Sequence, residues 1–228
     1  PSSDAVHIVL MRQAGGTLLG KTVTTEFATF KGGKTTNPHN PEYTPGGSSS
    51  GSAAAVADDM IPLATGSQTA GSVIRPAAFC GVVGYKPTYG KISLGGVKSL
   101  SPSLDTLGSF TRTVADAALC VAAMSGDHQL ATIHKIKQKP RIATCLTYDG
   151  ELASTETITA IHHAALLAED VFKTQVPAIE LPAIFKDMSA LQGRIMWSES
   201  ARSFSFEQNN HSEQLSQQLK GLIKLGSA

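Results

Sequence analysis

The chain has 228 residues, 41% of them hydrophobic and 16% charged, against a usual charged share of about 25%, so it is globular in composition and neither disordered nor membrane-spanning. Nineteen Lys and Arg against eighteen Asp and Glu leave a net charge of +1, without the basic surplus that phosphate backbones select, and nucleic acid is not an expected partner. Cys80, Cys120 and Cys145 are odd in number and far apart, and no Cys/His cluster has ligand spacing, which argues against a disulfide framework and a metal site.

No apolar run reaches the 18 or so residues of a membrane span. The opening PSSDAVHIVL lacks the basic start and apolar stretch of a signal peptide. The expected setting is reducing and cytoplasmic, with no membrane partner. At about 150 residues per domain, the simplest reading is a single domain over residues 1–228.

In chain order, residues 3–14 set Val6, Val9, Leu10 and Ala14 at helical spacing behind Ser3 or Asp4 as N-cap, and Gly15-Gly16 closes the helix. Residues 17–20 read as a short buried strand and 26–30 as a brief helix. Residues 31–52, KGGKTTNPHNPEYTPGGSSSGS, combine Gly, Pro, Asn and Ser in turn-forming pairs. A helix at 53–57 and a strand at 61–65 follow at once, and a loop wedged between core elements is more often a site than a tether. A second polar loop, 66–72, runs into the apolar stretch 73–80, and 81–85 reads as a strand. Helices are expected at 113–124, 155–172, 188–207 and 213–225, with a strand at 141–146. This alternation predicts an α/β fold, a mixed twisted β-sheet with helices on both faces.

The densest chemistry lies in GGSSSGSAAAVA at 46–57 and TGSQTAGSVIRPAAFCG at 65–81. Ser48, Ser49 and Ser50 sit where glycines allow sharp turns, and Ser72 ends a loop of small residues just before a helix. A nucleophilic serine needs a base for its proton and donors for the oxyanion, and backbone N–H groups at such a turn supply the donors. The residues alone leave a plainer reading open, in which Gly/Ser loops are flexible or cradle phosphate. G-x-G-x-x-G does not occur, and the nucleotide reading is weak.

Residues 46–88 resemble the signature region of the amidase signature family. GGTLLGKTVTTEFA at 15–28, NPHNPEYTPGG at 37–47 and SLDTLGSFTRTVADAAL at 103–119 resemble family segments in the expected order. The SSSGS and SQTxGSVIRPAA wording is most similar to malonamidase-like members, whereas the aminoacyl-tRNA amidotransferase members usually carry an acidic residue where Gln68 stands. The resemblance implies a Ser-cisSer-Lys triad. By the family's pattern Ser72 is the nucleophile, and Ser48, behind a cis Gly47–Ser48 bond, relays its proton to a neutral lysine. The hydroxyls of Ser48 and Ser72 are expected about 2.6–3.2 Å apart. The oxyanion donors would be the N–H groups of Thr69, Ala70, Gly71 and Ser72. Ala70 replaces a usual glycine, so its Cβ raises a question of φ at that point. Ser49, Gln68 and Arg75 would support the site or touch substrate, Arg75 through a substrate carboxylate or by fixing the loop.

The family's lysine lies in an upstream strand reading roughly G-[IV]-P-[VIL]-x-[VL]-K-[DE], which this sequence does not contain. Lys21, in a separate family segment, reads as structural. The chain thus reads as the central part of a longer domain, lacking N-terminal and C-terminal portions and inactive alone. Lys86 and Asp105 match positions taken to buttress the site. The seven histidines lack metal-binding spacing and read as surface residues, 134–141 as a solvated basic loop, and Cys80 as a buried small residue. The expected function is hydrolysis of a small amide's C–N bond through an acyl-Ser72 intermediate, with no metal or organic cofactor and a homodimer as one allowed assembly. The alternative is a degenerate homologue that binds or scaffolds, as in an amidotransferase-like complex.

Overall fold

The structure is a computed structural model and describes residues 3–132 and 138–227. The chain forms two compact units, residues 1–133 with 193–228 and residues 134–192.

The first unit is built on a three-stranded sheet in the order β1-β3-β2, with β1 at Leu63–Gln68, β2 at Val83–Tyr85 and β3 at Thr106–Thr111. Both ladders are antiparallel: Ala64 stands opposite Phe110 and Gln68 opposite Thr106, while Gly84 pairs with Phe110 from the other edge. Side chains alternate along a strand, so Phe110 and Leu107 enter opposite cores. Phe110 packs with Ala53, Val56, Val73, Ala77 and Cys80, from and beside helices α2 (Ser50–Ala57) and α3 (Ile74–Cys80). Leu107 packs with Cys120, Val121 and Met124 of α4 (Val114–Ser125), against which α1 (Val6–Gln13) lies. Helices therefore cover both faces, as the α/β reading expects.

Local signals explain most element ends. The Thr113 hydroxyl accepts the Asp116 N–H at 3.1 Å to start α4, and Gly126 at φ 71° ends it. Helix α1 begins at Val6 behind Ala5 rather than behind Ser3 or Asp4, because the Asp4 carboxylate instead pairs with Arg12 at 2.9 Å. Strand β1 runs on to Gln68, so the second polar loop shrinks to the few residues before α3. Residues 17–20 are not a strand: Leu19 is 75% exposed, and no described backbone group pairs with this run. An apolar tetrapeptide becomes a strand only against a partner edge.

The C-terminal part of this unit adds a third core of Leu100, Phe204, Leu215, Leu219 and Ile223. The Phe27 and Phe204 rings lie 5.2 Å apart. The Glu26 carboxylate accepts both the N–H and the hydroxyl of Ser216, at the start of the helix Gln217–Gly226. The expected helix 188–207 breaks in two, Met188–Ser203 and Ser205–His211, where buried Phe204 leaves helical geometry.

The second unit carries the helix Thr155–Phe172, capped by the Ser154 hydroxyl, which accepts the Thr157 N–H at 3.3 Å. The expected strand at 141–146 contributes a single parallel bridge, Thr144 with Ala178. Part of the basic stretch 134–141 lies outside the described residues.

Candidate active site

Ser72 sits in the turn between β1 and α3, 7% exposed. The turn is shaped from beneath by Gln68, the last residue of β1. Its Oε1 accepts the N–H groups of Val73 at 2.9 Å and Ile74 at 3.0 Å, which α3 would otherwise leave without partners. Thr69 is tied from its side chain: its hydroxyl donates to Asp105 Oδ1 at 2.5 Å. Asp105 Oδ2 accepts from Ser99 Oγ, Leu100 N and Ser101 N. Asp105 is thus the buried anchor of the turn, as a buttress should be. Lys86 instead donates to the carbonyl of its neighbour Pro87.

The N–H groups of Thr69, Ala70, Gly71 and Ser72 donate to no backbone acceptor among the described residues. A run of unpaired donors beside a hydroxyl is what an oxyanion site requires. Ala70 is not among the residues with positive φ, so its methyl carries no left-handed strain.

Ser48 approaches from the other loop. The Gly47–Ser48 peptide is cis, at the bond the family pattern names. The Ser48 carbonyl accepts from Thr24 Oγ1 at 2.9 Å and Thr25 N at 3.0 Å. The loops are joined through backbone, Ser49 N donating to Ser72 O at 3.4 Å. The Ser49 hydroxyl makes a long 3.5 Å contact with Ser67 O. Gly66 is required here: a Cβ on it would lie 2.5 Å from Ser49 Oγ. Arg75 Nε donates to Gly47 O at 2.9 Å, so this side chain fixes the loop.

One expectation is not met. Ser48 is 2% exposed, and its Oγ is buried without a hydrogen-bond partner among the described residues, so the direct bond to the Ser72 hydroxyl is not formed. A buried hydroxyl needs a donor or acceptor, and Lys21, which is exposed, does not supply one to Ser48.

The other candidates fall outside this cluster. Cys80 is wholly buried, and burial pushes its thiol pKa up; Cys120 is pushed up to about 12 for the same reason. Among the described residues no three or more His, Cys, Asp or Glu stand where they could hold a metal ion, and no helix is long and apolar enough to cross a membrane. His7 departs from the surface reading, being 6% exposed. The sequence reading gave no role to Thr24 and Thr25, although they lie in the family-like segment 15–28.

A model of the amidase family matches residues 1–148. A glutamyl-tRNA(Gln) amidotransferase subunit of Salinibacter ruber is 48% identical over 132 residues, 55% of this chain and 26% of that protein. A crystal structure of an amidase superposes with a TM-score of 0.87 at 30% identity, over 98% of this chain and 52% of that one. The native peptide amidase from Stenotrophomonas maltophilia gives 0.76 at 30% identity, over 99% and 55%. The chain thus spans about a quarter of the length of the curated relative and about half that of the solved structures. The match runs through both loops that meet at Ser49 and Ser72, and the chain belongs to the amidase family.

Proposed function

We propose that the protein hydrolyses the C–N bond of a small amide through an acyl-Ser72 intermediate. The observation that carries this reading is the junction of the loops, where Ser49 N donates to Ser72 O and the neighbouring Ser48 hydroxyl is buried without a partner. Ser72 Oγ attacks the amide carbonyl carbon. Its proton passes to Ser48 Oγ, whose own proton passes to a neutral lysine amine, the group the family pattern supplies from an upstream strand. The N–H groups at 69–72 hold the oxyanion. Collapse breaks the C–N bond, the protonated lysine returns its proton through the serines to the leaving amine, and water then releases the acyl group as a carboxylic acid. A lysine stays neutral only when burial or cationic neighbours depress its pKa, so rate should fall as pH falls. Arg75 would hold a carboxylate of the substrate only with the N–H groups not given to Gly47 O.

The test is labelling by a fluorophosphonate in the full gene product. Ser72→Ala is expected to abolish labelling and Ser49→Ala to weaken it. Labelling that survives Ser72→Ala and disappears when Cys80 is replaced overturns the assignment. The name of the curated relative, an amidotransferase subunit, favours a second reading in which the same site works inside a cytoplasmic multi-subunit complex. Elution of the gene product from its own cells at a mass above that of a homodimer supports this reading, and elution as monomer or homodimer opposes it.

A further inference from the structure

Helix α3 does more than follow Ser72. Residues 44–47 lie along it, running from its end back to its start. Cys80 Sγ donates to Pro45 O at 3.4 Å. Gly46, at φ 76°, presses so close that a Cβ would stand 2.9 Å from Pro76 Cα. Arg75 Nε holds Gly47 O. One seven-residue helix therefore splints both serines, Ser72 at its start and the Ser48 loop along its side.

The last carbonyls of a helix have no partner within it, and here two side chains of the same loop take them. Asn37, 7% exposed, donates from Nδ2 to Phe79 O at 2.8 Å and to Thr44 O at 3.2 Å, bridging helix end and loop in one group. Its Oδ1 accepts the His39 N–H at 3.0 Å, and its own N–H donates to Tyr43 O at 3.1 Å. His39 Nε2 lies 2.9 Å from Cys80 O. A carbonyl only accepts, so this nitrogen carries the proton.

We infer that Asn37 and His39 are positioning residues that latch the Ser48 loop to the end of α3 and so set Ser48 against Ser72. The inference rests on the serine reading above for its kinetic consequence, but the latch itself has a readout free of catalysis. Without the Asn37 and His39 bonds, the loop keeps along α3 the Cys80 and Arg75 bonds and the close approach of Gly46, and Ser48 drifts from its place. A misplacement of about 1 Å can cost a hundredfold in rate.

The experiment compares Asn37→Ala, His39→Gln, His39→Phe and Tyr43→Ala in the full gene product. The Tyr43 side chain is 67% exposed and serves as control. Amide hydrogen exchange over residues 44–50 is read by mass spectrometry, and kcat and KM are read on a small amide. Asn37→Ala and His39→Phe are expected to speed exchange and to lower kcat about tenfold to a hundredfold with KM nearly unchanged. His39→Gln, which keeps a donor, and Tyr43→Ala should behave as the parent. If Asn37→Ala does not fold, the pair His39→Gln and His39→Phe decides. Exchange and kcat unchanged in His39→Phe overturn the latch, as does a rise in KM with kcat intact. Faster exchange in a protein whose Ser72 is never acylated keeps the latch and sinks the serine mechanism instead.

Discussion

The side-chain oxygen of Gln68 takes two N–H groups that begin α3, directly after Ser72. This is the work of an N-cap performed by a residue of the preceding strand, and its loss leaves the buried donor of Val73 and the part-buried donor of Ile74 without this partner. Gln68→Ala is expected to destabilise the protein by about 1–2 kcal/mol and to slow labelling of Ser72. Gln68→Glu keeps the acceptor and places a negative charge at a helix start, where it is favoured, so it should be close to neutral. Thermal unfolding of the two variants checks this, and equal losses in both would mean that the position needs the side-chain amide NH2, which Ala and Glu both lack, rather than the acceptor oxygen. Glu199 shows a second carboxylate held by hydroxyls. Burial raises its pKa, but bonds from Ser101 and Ser103 outweigh this and leave it lowered.

At the scale of elements, the contact between α2 and β1 depends on the small face of the strand. A Cβ on Gly66 would meet Ser49 Oγ at 2.5 Å and Phe110 Cε2 at 2.7 Å, one on each side of a packed junction. Gly66→Ala should therefore cost about 1–3 kcal/mol by overpacking, seen as a lower midpoint in urea. Adding Ser49→Gly removes one of the clashes and should restore part of the loss; no recovery in the double variant would place the strain at Phe110 alone. Elements whose signals are local were legible in the sequence. The helix Thr155–Phe172 matches its expected bounds, because Ser154 caps it and its length carries the period. Strand β3 was invisible: Thr106, Leu107, Gly108, Ser109, Phe110 and Thr111 are all buried, yet four are polar or Gly and show no alternation. Their burial comes from pairing on both edges, which no local pattern records. The cis bond between Gly47 and Ser48 was legible through the family pattern. Asn37 was not, since its partners Thr44 and Phe79 lie 7 and 42 residues away.

Over the whole chain, stability near neutral pH depends on groups that folding strips of water, and His7 is the clearest. It lies on α1, 6% exposed, and its Nδ1 is buried without a hydrogen-bond partner. Loss of water around the ring disfavours the charged form, so its pKa in the folded protein is lowered from 6.5. The unfolded chain then binds a proton at a higher pH than the folded one does. Stability from this residue is fully present above about 6.5 and is lost as pH falls below it toward the lower folded value. Glu199 and Glu207 also have lowered values, but they start from 4.5, so their contribution is lost only at more acid pH. The interval between about 7.5 and 5.5 therefore separates His7 from these two carboxylates. The melting temperature should fall across that interval in the parent protein, and His7→Gln, which does not titrate, should flatten the slope while leaving the decline below 4.5 in place. Thermal unfolding at closely spaced pH decides, and an equal slope in the variant would assign the acid sensitivity to another group.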